Sequence, residues 1–77
     1  MDEPIQAKVY AYVARLAYGE ARQNVRSVGH GVWELKIDHG PGYRVYFGQV
    51  GSLILLLLLG GNKRTQQRDI ARATDYW

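Results

Sequence analysis

Hydrophobic positions along this chain change their spacing several times, and each spacing predicts a different element. Between residues 5 and 16, apolar side chains recur every three or four positions, which is the spacing of one face of an α-helix. Pro4 lies in the first turn of this stretch and Gly19 follows it, and these residue types commonly begin and end helices. The sequence therefore predicts an N-terminal helix over about residues 3–18.

Two later segments alternate between apolar and polar residues and predict a pair of strands. Residues 32–38 place Trp33 and two aliphatic side chains on one face, and residues 43–50 alternate in the same way. Residues 40–42, Gly-Pro-Gly, cannot continue a strand and predict the turn between them. Matching the two apolar faces requires a loop of three or five residues, and Trp33 is then expected in the core.

A run of leucine and isoleucine at residues 53–59 predicts a third strand, because the Gly-Ser pair before it suits a tight hairpin turn. Unbroken alternation past that turn puts Leu59 on the same face as Arg44, and Leu58 on the opposite face. A strand that is apolar on both faces is typical of a central strand covered on both sides. One cover would be the N-terminal helix, and the other the C-terminal helix or a partner.

The remaining segments are polar. Residues 20–30 are predicted to be mostly loop, and residues 60–64 form a basic loop. Residues 65–76 predict a C-terminal helix whose apolar side carries Ala73 and Trp77. The fold class is therefore α+β, a three-stranded antiparallel sheet with a helix at each end of the chain.

Length and composition narrow the class of protein. With 77 residues the chain is expected to form one domain, residues 1–77, and the absence of cysteine fits a reducing compartment. The leucine run falls far short of the roughly 20 residues that a membrane-spanning helix needs. The N-terminus lacks the pattern of a signal peptide, so we expect a cytoplasmic protein with no membrane partner.

No residue spacing suggests a metal site, and no cofactor is expected. The net charge of +3 permits a polyanionic partner without demanding one.

Cationic side chains at the strand ends are the candidate chemistry. Several cations facing one groove, with an aromatic ring among them, can hold a phosphodiester and stack a base. If RNA is cleaved there, the ribose 2′-hydroxyl is the internal nucleophile, and the protein needs only to orient it and stabilise the phosphorane. The alternative is that these are ordinary solvated charges, with Arg44 paired to Glu34 and Tyr46 packed on Leu57. The predicted cluster comprises Lys36, Arg44, Tyr46, Lys63 and Arg64.

Four segments in order, GVWELKI, GPGYRVYF, the leucine strand and GGNKRTQQRDIARA, resemble the RelE/ParE superfamily of bacterial toxins. The closest likeness is to the HigB-like addiction-module killer proteins. The resemblance implies a RelE-like fold and a type II toxin that enters the ribosome and cleaves messenger RNA by 2′-hydroxyl attack. Its implied partners are the ribosome, messenger RNA and a cognate helix-turn-helix antitoxin.

The resemblance also implies roles for individual residues. Arg44 takes the position of the arginine that stabilises the scissile phosphate, and Lys36 that of a basic residue assisting proton transfer or charge neutralisation. Lys63 matches the basic residue of the loop before the last helix. Some members stack a base on a tyrosine that here falls near Ile70, which cannot do so. The residues expected to contact RNA are Arg64, Tyr46, Tyr43 and Arg68.

One departure from the family opens further alternatives. Members usually begin with a strand and a helix that this sequence lacks, so we expect exposed backbone, exposed apolar surface and self-association. Two other functions remain open. The chain could block a protein target such as gyrase, as ParE-type toxins do, or could be an inactive remnant that only binds an antitoxin.

Overall fold

A computed structural model describes residues 3–20, 22–38, 42–61 and 63–77. Two helices pack on opposite faces of one antiparallel sheet with the strand order β1-β2-β3-β4. The elements are α1 (Glu3–Ala17), β1 (Val25–Gly29), β2 (Val32–Ile37), β3 (Tyr43–Val50), β4 (Leu53–Gly60) and α2 (Gln66–Tyr76), with 3₁₀ turns at Arg22–Asn24 and Lys63–Thr65.

The predicted α+β class, both helices and three strands are confirmed, but the described part of the chain forms a sheet of four strands rather than three. The extra strand is β1, in a segment that we expected to be mostly loop. Its two valines are three residues apart, which breaks the alternation expected of a strand. The pairing of β1 with β2 also shifts register between Ser27 and Gly29, so β1 pairs cleanly over only a few residues.

The register between β2 and β3 follows the predicted parity. Leu35 lies opposite Val45, and Ile37 lies opposite Tyr43. The connection at 38–42 therefore has five residues, one of the two lengths expected; residues 39–41 of it lie outside the described part of the chain. Lys36 therefore lies directly across from Arg44, and both side chains are on the face of the sheet opposite to Leu35 and Val45.

A β-bulge in β4 makes the prediction for the end of that strand wrong. Tyr46 pairs with Leu58 but Phe47 pairs with Leu56, so Leu57 is an extra residue on β4. An extra residue reverses which face each later side chain occupies. Leu59 therefore joins the α1 side, and Leu58 joins the α2 side.

Two apolar clusters hold the layers together. On one face, α1 packs against β2 and β3 through the buried residues Ile5, Val9, Leu16, Leu35, Ile37, Val45 and Phe47. On the other face, Ala73 of α2 packs against Val32 and Tyr46. The C-terminal helix is therefore the second cover that the leucine strand requires, although it covers that strand only in part.

Two expectations about the core are wrong. Among the described strands, β4 is not central but last in the sheet, and several of its leucines are exposed. Trp33, expected in the core, is also exposed because it lies beyond the area that α1 covers. Both errors follow from judging burial by residue type. The alternation of apolar and polar residues shows which face of a strand is apolar, but it does not show how much of that face a helix covers.

Close packing at the end of α2 gives a test of this arrangement. A methyl group on Gly48 would overlap the Trp77 ring, which lies directly on the β3 backbone. We predict that Gly48→Ala lowers the free energy of unfolding by about 1–3 kcal/mol in urea titrations. In a Trp77→Ala background the same substitution should cost little, because the ring is gone and alanine suits a strand better than glycine does. An equal loss in both backgrounds would contradict this packing.

Candidate functional site

A polar cleft of about 640 Å³ opens where one end of the sheet meets the start of α2. Strands β1, β2 and β3 and the 3₁₀ turn before α2 all contribute side chains to it. Its lining is mostly charged or amide-bearing and contains no aromatic ring among the described residues: Gln23, Asn24, Val25, Arg26, Glu34, Lys36, Asp38, Arg44, Lys63 and Gln66.

The three residues to which the sequence assigned catalytic roles all line this one cleft. Lys36 and Arg44 face each other across β2 and β3, and Lys63 reaches the cleft from the 3₁₀ turn. Both lysines are exposed. Arg26 of β1 adds a fourth cation, against two carboxylates in the lining, so the cleft carries a net positive charge.

Arg44 is buried at the base of the cleft, with only 7% of its surface exposed. Its Nε atom lies 3.5 Å from Glu34 Oε1, and its Nη1 atom donates a hydrogen bond of 3.4 Å to the Gly61 carbonyl. Arginine keeps its proton under all ordinary conditions, so this guanidinium is a fixed positive charge. Because the side chain is buried, water screens its charge less than it screens that of an exposed cation.

Glu34 is the buried anion that holds these groups together. Arg26 Nε donates to its Oε1 atom at 2.9 Å, and Gln66 Nε2 donates to its Oε2 atom at 2.8 Å. Burial opposes ionisation of this carboxyl, but the hydrogen bonds from Arg26 and Gln66 and the charge of Arg26 outweigh burial and hold its pKa below the ordinary value. The same contact raises the pKa of Arg26.

A second buried carboxylate fixes the basic segment that carries Lys63. Asp69, one turn into α2, accepts a hydrogen bond of 2.7 Å from Thr65 Oγ1 and one of 3.4 Å from the Gly61 amide. These bonds tie both ends of the turn to the helix. Gly60 is required beside them, since a Cβ atom there would lie 2.8 Å from an oxygen of Asp69.

The structure does not bring the residues expected to contact RNA into the cleft. Tyr46 is fully buried beneath α2, where burial and the negative charge of Glu34 raise the pKa of its phenol. Its hydroxyl has no hydrogen-bond partner among the described residues. Tyr43 packs on the α1 side of the sheet, so neither ring is placed to stack a base in the cleft. Arg64 and Arg68 are exposed but do not line it.

Sequence reasoning missed Arg26, Gln66, Asn24 and Asp38 as cleft residues. Arg26 lies directly opposite Glu34, a cross-strand ion pair that prediction of β1 would have revealed. Asn24 donates a hydrogen bond to the Lys36 carbonyl from the turn before β1, so it too depends on that strand. Gln66 carries no local signal, because its contact with Glu34 depends on how α2 docks.

The arrangement suits binding of a phosphate group. Two arginines supply fixed charge, two exposed lysines supply mobile cations with protons to donate, and Asp38 supplies an exposed carboxylate. Within the ranges that the structure describes, no three His, Cys, Asp or Glu residues lie together as a metal site would need.

Comparison with known proteins identifies the family. The family of phage-derived Gp49-like proteins (DUF891) matches residues 1–76. The chain belongs to this family. The Gp49-like family is toxin-like, of the RelE and addiction-module type, although RelE and HigB themselves are not matched directly.

One relative is similar to most of the chain. An uncharacterized protein of Haemophilus influenzae is 43% identical over 68 residues, which cover 88% of this Gp49-like chain and 68% of the relative. No solved structure matches the chain. In the described ranges, neither helix is long and apolar enough to cross a membrane.

The buried Glu34 ion cluster predicts a specific dependence of stability on pH. The pKa of Glu34 is lower in the folded chain than its ordinary 4.5, so the unfolded chain binds more protons in acid. The cluster therefore stabilises the fold fully above pH 4.5, and that contribution is lost as pH falls through the lower, folded pKa.

Arg26→Met should shift this acid loss to higher pH and lower the free energy of unfolding at neutral pH by about 2 kcal/mol. Urea unfolding followed across the acid range measures both effects. Arg15→Met is the matched control, because Arg15 pairs with Glu20 at 3.9 Å on the exposed surface and such pairs contribute little. Equal effects of the two substitutions would contradict the role given to Glu34.

Proposed function

We propose that this Gp49-like chain is the toxin of a type II toxin–antitoxin module and that it cleaves messenger RNA on the ribosome. The observation that carries the proposal is the shared cleft of Lys36, Arg44 and Lys63, joined by Arg26. Membership of a toxin-like family supports the biological role. The proposed setting is the cytoplasm, with a helix-turn-helix antitoxin as the inhibitor.

The nucleophile of the proposed reaction belongs to the RNA itself. The ribose 2′-oxygen attacks the adjacent phosphorus, and the bond from phosphorus to the next 5′-oxygen breaks. The products are a 2′,3′-cyclic phosphate and a 5′-hydroxyl. One base must accept the proton of the 2′-hydroxyl, and one acid must protonate the departing 5′-oxygen.

The cleft offers a residue for each of these roles. Asp38 is the exposed carboxylate and suits the base, since Glu34 is engaged by Arg26 and Gln66. Lys36 or Lys63 suits the acid. Arg44 would stabilise charge on the phosphorane, because its position is fixed before the substrate arrives.

A second candidate is a toxin that blocks a protein target without cleaving RNA. The observation favouring it is that no described lining residue is aromatic, so the cleft has no ring on which a base could stack. In that case the cations would recognise acidic groups on the target.

Inducible expression in bacteria, with mapping of new 5′ ends on messenger RNA, tests the proposal. We predict that Lys36→Ala and Lys63→Ala each lower cleavage by about 100-fold, because each removes a charge or a proton donor at the phosphate. Lys8→Ala is the matched control, since Lys8 is an exposed lysine of α1 that lines no part of the cleft. Circular dichroism of each purified variant checks that it folds.

Each outcome bears on one of the candidates. Unchanged cleavage in both cleft variants would reject this site, and growth arrest without new 5′ ends would favour the protein-blocking toxin. Absence of growth arrest from the folded parent chain would reject a toxin altogether and leave binding of an antitoxin as its activity.

A further inference from the structure

The two arginines of the polar cleft differ sharply in how much of each a ligand can reach. The side chain of Arg26 is 60% exposed, whereas that of Arg44 is 8% exposed. Arg44 also uses one terminal nitrogen, Nη1, to donate to the Gly61 carbonyl. A ligand that enters the cleft therefore finds much more of the Arg26 guanidinium than of the Arg44 guanidinium to contact.

The contact that holds Arg26 in place leaves its terminal nitrogens unused. Its Nε atom donates to Glu34 Oε1 at 2.9 Å, and within the described ranges Nη1 and Nη2 make no hydrogen bond. The other carboxylate oxygen, Oε2, accepts from Gln66 Nε2 at 2.8 Å. The paired contact that arginine often makes with both oxygens of a carboxylate is therefore not formed here. A fixed guanidinium with its terminal N–H groups available is the result.

Glu34 also brings the two arginines close together. The Nε atoms of Arg26 and Arg44 both lie within 3.5 Å of the same oxygen, Oε1. Two guanidiniums share one carboxylate, so these three groups together carry one excess positive charge, and a phosphodiester carries one negative charge. Like charges repel, and Glu34 offsets that repulsion only in part. An anionic phosphate beside the pair would complete the compensation.

We propose that Arg26 is a catalytic residue of the cleft, whose Nη1 and Nη2 groups hold the non-bridging oxygens of the phosphate under attack. The assignment rests on the proposed function, which places a phosphodiester in the cleft. The planar fork of arginine matches the geometry of two phosphate oxygens. Because arginine keeps its proton, Arg26 takes no part in proton transfer; it orients the phosphorus and stabilises charge on those oxygens. Arg44 adds charge from the base of the cleft.

Lysine at position 26 separates this role from the pairing of Glu34. A lysine keeps the positive charge and can pair with Glu34 through its single nitrogen, but it lacks the fork that would hold a phosphate. Arg26→Lys should therefore keep most of the stability that Arg26→Met loses. A residue that only neutralises Glu34 would instead allow lysine to replace it with no loss of RNA binding.

Fluorescence anisotropy with a labelled RNA that is 2′-O-methylated at every ribose tests the proposal, because this probe has no nucleophile and is not cleaved. Arg26→Lys should weaken binding about tenfold and lower the yield of new 5′ ends in cells at least as much. Arg22→Lys is the matched control, since Arg22 is exposed in the 3₁₀ turn before β1 and does not line the cleft. It should bind as the parent chain does, and urea unfolding checks both variants.

Nitrogen-15 NMR of the arginine side chains keeps the test decisive if Arg26→Lys folds poorly. When the same RNA is added to the parent chain, the Nη resonances of Arg26 should shift and those of Arg22 should not. Unmoved Arg26 resonances, a parent chain that does not bind the RNA, or equal binding by Arg26→Lys and the parent would overturn the proposal.

Failure of the proposed function gives a different result. RNA binding that depends on Arg26, in a chain that produces no new 5′ ends, would reject the nuclease and still support the contact between Arg26 and phosphate. New 5′ ends that persist undiminished in a folded Arg26→Lys variant would support the nuclease and overturn the role of Arg26.

Discussion

The buried carboxylate of Glu34 is the group on which the geometry of the cleft depends. It lies on β2 and joins β1 through Arg26, β3 through Arg44 and α2 through Gln66. Removing an ionised carboxylate from water costs several kcal/mol unless charges and hydrogen bonds replace the lost hydration. Those replacements come from three other elements, so the charge is satisfied only when these three and β2 are docked together.

This requirement explains how Arg44 can be charged and buried at once. A guanidinium has five N–H donors: here Nη1 donates to the Gly61 carbonyl, while Nε lies within ion-pair distance of Glu34 but makes no hydrogen bond to the described residues. A ligand in the cleft must therefore approach a cation whose position is already set. Because Glu34 neutralises part of the charge of Arg44, Arg26 and the two exposed lysines are needed to keep the cleft positive.

Periodicity was sufficient to predict both helices and three strands, because each carries a strong alternation or a helical repeat, and it limited the connection between β2 and β3 to three or five residues. It also placed Lys36 and Arg44 together, since residues paired across two strands share a face. It failed at β1, whose valines follow no strand period. It failed again at Leu57, because a uniform run of leucine gives no signal of where parity changes.

The partial success at the site has the same physical origin. Lys36 and Arg44 were predictable because a two-strand register determines their position. Arg26 and Gln66 were not, since their positions depend on an unrecognised strand and on the docking of α2. Tyr46 illustrates the limit most clearly: its face was predicted correctly, but the helix that covers that face turns a candidate surface ring into core.

The burial of Tyr46 bears directly on how RNA could be recognised. Contacts to phosphate hold a nucleic acid in place but carry no direct sequence information, whereas stacked and hydrogen-bonded bases do. A cleft lined by cations and amides, with no ring among its described residues, would bind different phosphodiester linkages with similar affinity. A nuclease built this way would select its substrate poorly in free solution. Selection would have to come from a larger particle that presents a particular linkage to the cleft, and this gives a physical reason to associate the proposed cleavage with the ribosome.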